Sequence, residues 1–429
     1  MHTNDTIVAL SSGAPPSGVA VIRLSGSDVR ALLRQVTGSI PEPRRLTLRP
    51  IGADTLLDRG LVAFFPAPSS FTGEDCAELQ VHGSPAGVRA ILGLLIQLGA
   101  RLAEAGEFTR RAFENGKLDL LEIEGLGDLL QAETENQRRQ AIARFEGGLT
   151  QSVDQWRDQL LDLRAEIEAR LDFSGEGDVE EALPPHFHSQ VADLKQDIDD
   201  ALSSVNQGRI VREGIRVALA GPPNVGKSSL INALANSDIA IVSDEAGTTR
   251  DVRDVPLSIN GQLYILQDLA GLRETDSKAE AEGIRRARLA MEQADLVLWL
   301  QAPDVPDIKR PQLSVPVLTI ATKGDLKSLV ADLTVSVRTR NGLDQLTNAL
   351  QEFGEALGAN EPVLLSRERD RQALAAAKAE LDHVSKQLGT PELAAESLRR
   401  ASNALERLVG RLDAERVLDR LFLSFCIGK

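Results

Sequence analysis

Cysteine is almost absent: the 429-residue chain has two, Cys76 and Cys426, far apart and without CxxC spacing. A disulfide framework and a thiolate zinc site are therefore excluded as organising features, and a reducing compartment is expected. The five histidines form no HxxxH or HExxH pair, and His186 and His188, in an acidic, proline-bearing stretch, read as loop. Aromatic residues are scarce (eleven Phe, two Trp, one Tyr), so the cores have to be built from Leu, Ile, Val and Ala. Positive charge is in deficit, with 48 Lys+Arg against 63 Asp+Glu and a net charge of −15. That balance excludes a globally basic coat for nucleic acid; contact with RNA would need a local patch or a basic partner. No long hydrophobic run exists either. The stretch Ile91–Ala100 contains Gln97 and falls well short of the ~20 residues that span a bilayer. The start, Met1-His-Thr-Asn-Asp, has no basic n-region, so a soluble, cytoplasmic protein without a secretory signal or membrane association is expected.

What is present has three textures. At ~150 residues per domain the length suggests roughly three domains. Residues 1–117 alternate short β-like runs (Thr6–Leu10, Val19–Leu24, Gly60–Phe65, Cys76–His82) with turn clusters and helical stretches at Asp28–Val36 and Ser84–Leu98, an α+β pattern. In residues 118–213 the period changes: Trp156, Leu160, Leu163, Ile167 and Leu171 mark one face of a helix, and Val191, Leu194, Ile198, Leu202 and Val205 mark another. The same texture returns over 359–429 (Leu374, Leu381, Val384, Leu388; Leu398, Leu405, Leu408, Leu412). The economical reading is one discontinuous α-helical domain interrupted by residues 214–358. In that insertion, strands at Ile215–Ala220, Gln262–Gln267, Leu296–Leu300 and Val315–Ala321 alternate with helices at Lys227–Leu234 and Glu282–Gln293, which implies a mostly parallel α/β sheet. No internal repeat is evident, and the acidic stretch at 176–181 reads as a solvated loop.

Gly221-Pro-Pro-Asn-Val-Gly-Lys-Ser228 fits GxxxxGK[ST] between an apolar strand and a helix. Glycines let backbone N–H groups approach phosphate oxygens, and the helix N-terminus adds positive potential. Lys227 would reach the β/γ-phosphates and Ser228 would ligate Mg²⁺. Three weaker motifs follow in the order a GTPase needs. Asp244-Glu-Ala-Gly-Thr-Thr-Arg-Asp251 can offer Thr249 to Mg²⁺ when a γ-phosphate is present. Asp268-Leu-Ala-Gly271 places Asp268 near Mg²⁺ and the Gly271 N–H near the γ-phosphate. Thr322-Lys-Gly-Asp325 ends an apolar strand, and Asp325 could accept the N1–H and N2 amine of guanine. Each motif taken singly is as readily a turn or a cap; their order after a P-loop points to an inserted Ras-like P-loop GTPase domain. Leu272 follows Gly271 where a water-orienting Gln would be useful, leaving Glu274 and Glu280 as substitutes and Arg250 and Arg273 as sources of positive charge.

The chain resembles the bacterial tRNA modification GTPase family MnmE, also called TrmE. The likeness rests on Asp5-Thr-Ile-Val-Ala9, Gly18–Gly26, Ser70-Phe-Thr-Gly-Glu-Asp75, Gly106-Glu-Phe-Thr109, Asn115-Gly-Lys-Leu-Asp-Leu120, Gly247-Thr-Thr-Arg-Asp251 and the final Phe425-Cys-Ile-Gly-Lys429. The resemblance implies an N-terminal α+β domain that dimerises and binds (6S)-5-formyl-tetrahydrofolate, or a related tetrahydrofolate, through Arg23, Glu78, Lys117 and Lys429. It implies a GTP site formed by Asn224, Val225, Gly226, Lys227, Ser228 and Ser229, then Ser243, Asp244, Glu245, Ala246, Gly247, Thr248 and Thr249. To these it adds Asp268, Leu269, Ala270, Gly271, Thr322, Lys323, Asp325, Ser336, Val337 and Arg338. K⁺ would replace an arginine finger at Asn224, Ser243, Glu245 and Thr248, and Glu280 would orient water. It further implies a homodimer and an FAD-dependent partner of the MnmG (GidA) type, in a heterotetramer or larger complex. The product would be a (carboxymethyl)aminomethyl group at C5 of the wobble uridine of certain tRNAs.

Three positions depart from the family pattern. Thr322 stands for Asn, Leu269 for Thr, and Val337 interrupts a Ser-Ala-Arg loop. Loss of the amide at 322 is expected to untie this loop from the P-loop and weaken nucleotide affinity, while Asp325 keeps the choice of base. Cys426, taken alone, reads as a small core hydrophobe, as does Cys76; the resemblance makes Cys426 a candidate for modification chemistry. Arg23, Glu78 and Lys117 taken singly read as surface ion-pair members, though a carboxylate plus cations suits a pterin-glutamate ligand. Two other classes stay open: a regulatory GTPase switch in ribosome or RNA assembly, and a one-carbon transferase regulated by GTP.

Overall fold

The computed structural model of the chain describes residues 5–172, 183–236, 253–269, 278–327, 329–358, 363–387, 389–412, 417–418, 421–422, 425 and 428; at 172, 185, 253 and 278–284 it describes the backbone alone. The chain forms two compact units, residues up to 127 with those from 403 onward, and residues 128–402.

The first unit is built on a six-stranded sheet. Its elements are β1 (Ile7–Leu10), β2 (Ser17–Ser25), α1 (Val29–Thr37), β3 (Thr47–Gly52), β4 (Leu56–Phe65), β5 (Cys76–Gly83), α2 (Pro85–Gln97), β6 (Arg101–Leu102), α3 (Glu107–Glu114) and α4 (Leu120–Gln131). The strand order is β3-β4-β5-β2-β1-β6, antiparallel except for β1 with β6. Period-two alternation gives the sheet two unlike faces. Ile22, Leu24, Ala77, Leu79, Val62 and Phe64 point to one face and are buried beneath Leu32, Leu33 and Val36 of α1 and Val88, Ile91 and Leu95 of α2. Helix α2 starts where its sequence says it should: the Ser84 hydroxyl accepts from Gly87 N–H and Pro85 fills the first turn. The opposite face carries Arg23, Glu78 and Ala63 as a cross-strand row. Leu120 and Ile123 of α4 form a separate small core with Leu418, Phe422 and Phe425.

The second unit holds α5 (Glu135–Phe145), α6 (Gly148–Asp172), α7 (Pro185–Glu213), β7 (Ile215–Ala220), α8 (Lys227–Ala235), β8 (Arg253–Ile259), β9 (Gln262–Asp268), α9 (Lys278–Gln293), β10 (Leu296–Gln301), β11 (Val317–Ala321), β12 (Leu333–Thr334), α10 (Leu343–Ala356) and α11 (Glu368–Lys386). A last helix, α12 (Pro391–Val409), runs from this unit into the first. The sheet order is β12-β11-β10-β7-β9-β8, parallel throughout except for β8, which pairs antiparallel with β9. Apolar β7 and β10 sit at its centre, with Val217, Leu219, Leu298 and Leu300 fully buried in one core.

Helix α11 packs along α7, with Lys195–Asp382 and Lys378–Asp199 ion pairs at the edge. Gln140 of α5 donates to the carbonyls of Gly208 in α7 (3.1 Å) and of Val363 (2.5 Å), one on each side of the inserted sheet in sequence. Gly208 permits that approach, since a Cβ there would lie 2.0 Å from the Leu365 carbonyl oxygen.

Two expectations are corrected. His186 and His188 belong to α7, not to a loop: Pro185 occupies the first helical turn, where a missing N–H costs nothing, and Phe187 between them is fully buried. The sequence reading also passed over β8, although the Asn260-Gly261 turn that joins it to β9, with φ of 50° and 79°, is a hairpin signal. The stretch 176–181 lies outside the described residues.

Candidate nucleotide site and a second pocket

The nucleotide site assembles at the carboxyl ends of parallel strands, where open α/β sheets place their ligands. β7 delivers the chain into 221–226, and α8 begins at Lys227. Gly221 has φ 145°, and a Cβ there would sit 2.5 Å from the Leu300 carbonyl oxygen, so only glycine lets the loop leave β7 beside β10. Lys227 folds back over this loop. Its ammonium donates to the Gly221 and Pro222 carbonyls at 3.1 Å each, and the residue is 8% exposed. Burial lowers its pKa, and the Asp268 carboxylate pushes the other way.

Pairing of Leu219 with Asp268 across β7 and β9 sets Asp268 beside the loop. The Ser228 hydroxyl donates to Asp268 Oδ2 at 2.5 Å. A hydroxyl and a carboxylate this close are a donor set for a hard divalent cation. On the other side, Asp325 accepts from the Ser336 hydroxyl at 2.7 Å, which holds its carboxyl below the usual range, with Arg338 adding to the effect. Val337, next to Ser336 in the chain, is exposed. Lys323, at φ 54°, donates to the Asn224 carbonyl (3.0 Å) and to Asp304 (2.7 Å), fixing the tip of the P-loop.

Thr322 does not untie the loops. Its hydroxyl donates to the Val225 carbonyl at 2.5 Å and approaches Gln301 O at 3.1 Å, and the side chain is buried. A hydroxyl is one atom shorter than an amide, and β11 brings it close enough to span the gap. The expected loss of the tie is therefore overturned. Leu269 is buried in the core of Val297 and Trp299, which explains an apolar residue at that position. Of the other candidates, Val225 is buried, Gly226 has φ 103°, and Ser229 is exposed on α8. Ser243, Asp244, Glu245, Ala246, Gly247, Thr248, Thr249, Ala270, Gly271, Cys426 and Lys429 lie outside the described residues, and Glu280 is described by its backbone in α9 alone.

The first unit has a cavity of about 500 Å³ on the open face of its sheet, lined by Arg23, Arg44, Phe65, Ser69, Ser70, Phe71, Thr72, Cys76, Glu78 and Leu126. Strand register makes its floor: Arg23 faces Glu78 and Phe65 faces Cys76, while the small Ala63 leaves room beside Glu78. Arg23 donates to Glu78 at 2.9 and 3.1 Å and to the Gly428 carbonyl at 3.3 Å. Its guanidinium lies 6.0 Å from the Phe71 ring centre and 5.9 Å from that of Phe108. The wall at 69–75 is fixed from behind. Ser25 bonds Glu74 and Thr72 at 2.7 Å each, and Arg111 ties Glu74 (3.0 Å) to Asp5 (2.8 Å). Thus the Ser70–Asp75 segment shapes this wall, while Phe108 of the Gly106–Thr109 segment stands near Arg23. Lys117 does not line the cavity; its stem lies against Gly73, where a Cβ would come within 3.2 Å of Lys117 Cε. Cys76 is buried, as expected of a core cysteine, but its thiol is also on the cavity floor, 3.0 Å from Thr72 Oγ1. Sequence reasoning missed Arg44, Phe65 and Leu126, which come from the turn before β3, from β4 and from α4.

A P-loop closed by its lysine, a Ser–Asp pair at the cation position and an aspartate on the base-side loop define a Ras-like P-loop GTPase. The solved G domain of the FeoB iron transporter of T. maritima is 26% identical over 32% of this chain and 98% of its own, with a TM-score of 0.25. Residues 6–117 match the model of the GTP-binding protein TrmE N-terminus, and residues 120–426 that of the MnmE helical domain. A tRNA modification GTPase MnmE of Azorhizobium caulinodans is 47% identical over 100% of both chains, and one of Rhizobium etli is 48% identical over 99% of both. The chain belongs to the MnmE family of tRNA modification GTPases. Among the described residues, no helix is long and apolar enough to cross a membrane.

Proposed function

We propose that this GTPase uses GTP hydrolysis to drive (carboxymethyl)aminomethyl modification at C5 of the tRNA wobble uridine, with an FAD-dependent partner of the MnmG type and a formyl- or methylene-tetrahydrofolate as one-carbon source. The observation that carries the reading is the full-length match to relatives named tRNA modification GTPases, because it takes in both the nucleotide site and the cavity. Division into residues 1–117, 118–213, 214–358 and 359–429 goes with it, as does action in the cytoplasm.

In this reading Ser228 and Thr249 hold Mg²⁺, beside Asp268, and the metal neutralises charge on the phosphates. Lys227 exchanges its two carbonyl partners for phosphate oxygens. K⁺, held by Asn224, Ser243, Glu245 and Thr248, supplies positive charge where an arginine finger would act. Glu280 orients the attacking water, and Asp325, kept ionised and aimed by Ser336, accepts the N1–H and N2 amine of guanine. Arg23, Glu78, Lys117 and Lys429 serve the tetrahydrofolate. The cavity suits such a ligand: Glu78 can accept from a pterin's N–H donors, and Phe71 offers an aromatic face. Cys426 takes part in the modification.

A homodimer through the first unit is favoured by its open sheet face. Leu48 and Leu61 are directly paired there, 64% and 38% exposed, and two leucines opposite one another rarely face water without a partner. A regulatory switch without modification chemistry would account for the G domain but would leave this cavity idle.

The test is nucleoside mass spectrometry of tRNA from a strain lacking the protein, rescued with wild type or with Cys426→Ser. C5-modified wobble uridines are expected to vanish and to return with wild type alone. Modification that never vanishes would leave the switch reading. With the purified protein, GTP turnover should be faster in KCl than in NaCl at matched ionic strength; equal rates would remove K⁺ from the site.

A further inference from the structure

The cavity on the open sheet face has a second arginine, Arg44, at its solvent-exposed rim. Arg23 is neutralised by Glu78 through two hydrogen bonds. Arg44 also lines the cavity, and among the described residues it has no carboxylate partner; its guanidinium donates to the carbonyl of Ser69, an uncharged group. Its backbone has φ 61°, in the left-handed region that a residue with a side chain rarely occupies. The conformation is held by the Arg44 N–H, which donates to Phe64 O at 2.8 Å, and by the bridge between Pro43 and Phe64. A relaxed turn would place glycine here. This one spends strain on presenting an arginine.

The position fits an elongated ligand. Arg23 stands on β2, Glu78 and Cys76 on β5, and Arg44 beyond Phe64 of β4. With strands about 4.8 Å apart, the two arginines lie roughly 10 Å or more from each other across the cavity. One bond to Ser69 leaves the remaining N–H donors of Arg44 for a carboxylate, which a guanidinium takes in a two-point grip. Arg23 could do the same only by releasing Glu78.

We propose that Arg44 is the specificity-determining residue of this cavity: it binds the carboxylate at the far end of a ligand whose heterocycle meets Glu78. Under the tetrahydrofolate reading above, on which this rests, that group belongs to the glutamate of the folate. Arg44 therefore distinguishes folates from pterins that lack the aminobenzoylglutamate arm.

The test is calorimetric titration of the full chain with 5-formyltetrahydrofolate and with a 5-formyltetrahydropterin lacking that arm. Arg44→Met is expected to weaken folate binding about 10- to 100-fold, the loss of one charge-assisted contact, and to leave the pterin affinity unchanged. Arg44→Lys should recover part of the loss, keeping the charge without the fork. Arg44→Gly relieves the left-handed backbone, so its melting temperature should match or exceed that of wild type while folate binding falls as in Arg44→Met. Equal weakening of both ligands, unchanged folate binding in Arg44→Met, or a lowered melting temperature in Arg44→Gly would each overturn the proposal. Wild type that binds neither ligand would instead overturn the tetrahydrofolate reading itself, and this proposal with it.

Discussion

Replacing Lys227 by Ala is expected to lower GTP turnover about 10²- to 10³-fold while the chain stays folded. The magnitude is that of removing one preorganised donor aimed at charge that develops in the transition state. Lys227 meets the conditions for such a donor. It starts α8, so its backbone is fixed by the helix, and its ammonium is already drawn onto the loop that receives the phosphates, bonded to Gly221 O and Pro222 O. Little reorganisation is needed to exchange two neutral carbonyls for charged oxygens. The fold should survive because Ala is a strong helix former at the first position of a helix, and because the P-loop is tied elsewhere by Thr322 to Val225 O and by Lys323 to Asn224 O. Arg at 227 should fail as well, since a planar guanidinium cannot fit where a point-like ammonium sits between two carbonyls. The check is steady-state phosphate release at saturating GTP, with a circular-dichroism melt of each variant. Turnover of Lys227→Ala within about threefold of wild type would show that the lysine plays no part in hydrolysis.

The nucleotide site was legible because its chemistry is local. Eight contiguous residues make the phosphate loop, and the two carboxylates that accompany it, Asp268 and Asp325, each close an apolar run that reads as a strand. Parallel strands then bring their carboxyl ends together whatever the intervening sequence. The consequence of Thr322 was not legible, since whether a shorter side chain reaches Val225 O depends on how β11 sits against β10. The open-face cavity was less legible still. Arg23 and Glu78 are 55 positions apart and meet only through the register of β2 with β5. Arg44 has no motif at all; its place follows from a single bridge to Phe64 and a left-handed turn that nothing in Pro-Glu-Pro-Arg-Arg announces. His186 and His188 misled because prolines mark loops and helix starts alike. Phe187, buried between them, was the residue that could have decided it.

Breaking the ion pair of Arg144 with Asp370 is expected to produce a large loss of stability in the helical part of the chain. The two side chains are 1% and 0% exposed and 3.0 Å apart. Arg144, on α5, also donates to Leu364 O at 2.8 Å and approaches Ser366 Oγ at 3.4 Å, while Asp370 Oδ2 accepts from the backbone N–H groups of Ser366 and Arg367. These contacts join helices on opposite sides of the inserted sheet in sequence, so the pair closes the domain that the insertion interrupts. Arg144→Met leaves a buried carboxylate without its cation, which costs about 3–5 kcal/mol. Asp370→Leu alone should cost a similar amount by stranding the guanidinium. Adding Leu at 370 to Met at 144 removes both charges and should restore much of the loss, because an apolar pair of similar volume needs no desolvation repaid. Such recovery would be read as the coupling energy of a double-mutant cycle, the double variant being more stable than either single one. The measurement is urea unfolding of the full chain followed by far-ultraviolet circular dichroism. A loss below about 1 kcal/mol for Arg144→Met would mean that water reaches the pair and solvates the abandoned carboxylate. The GTPase readout should not follow stability: the P-loop contacts involve neither residue, so turnover per folded molecule should be unchanged in all three variants.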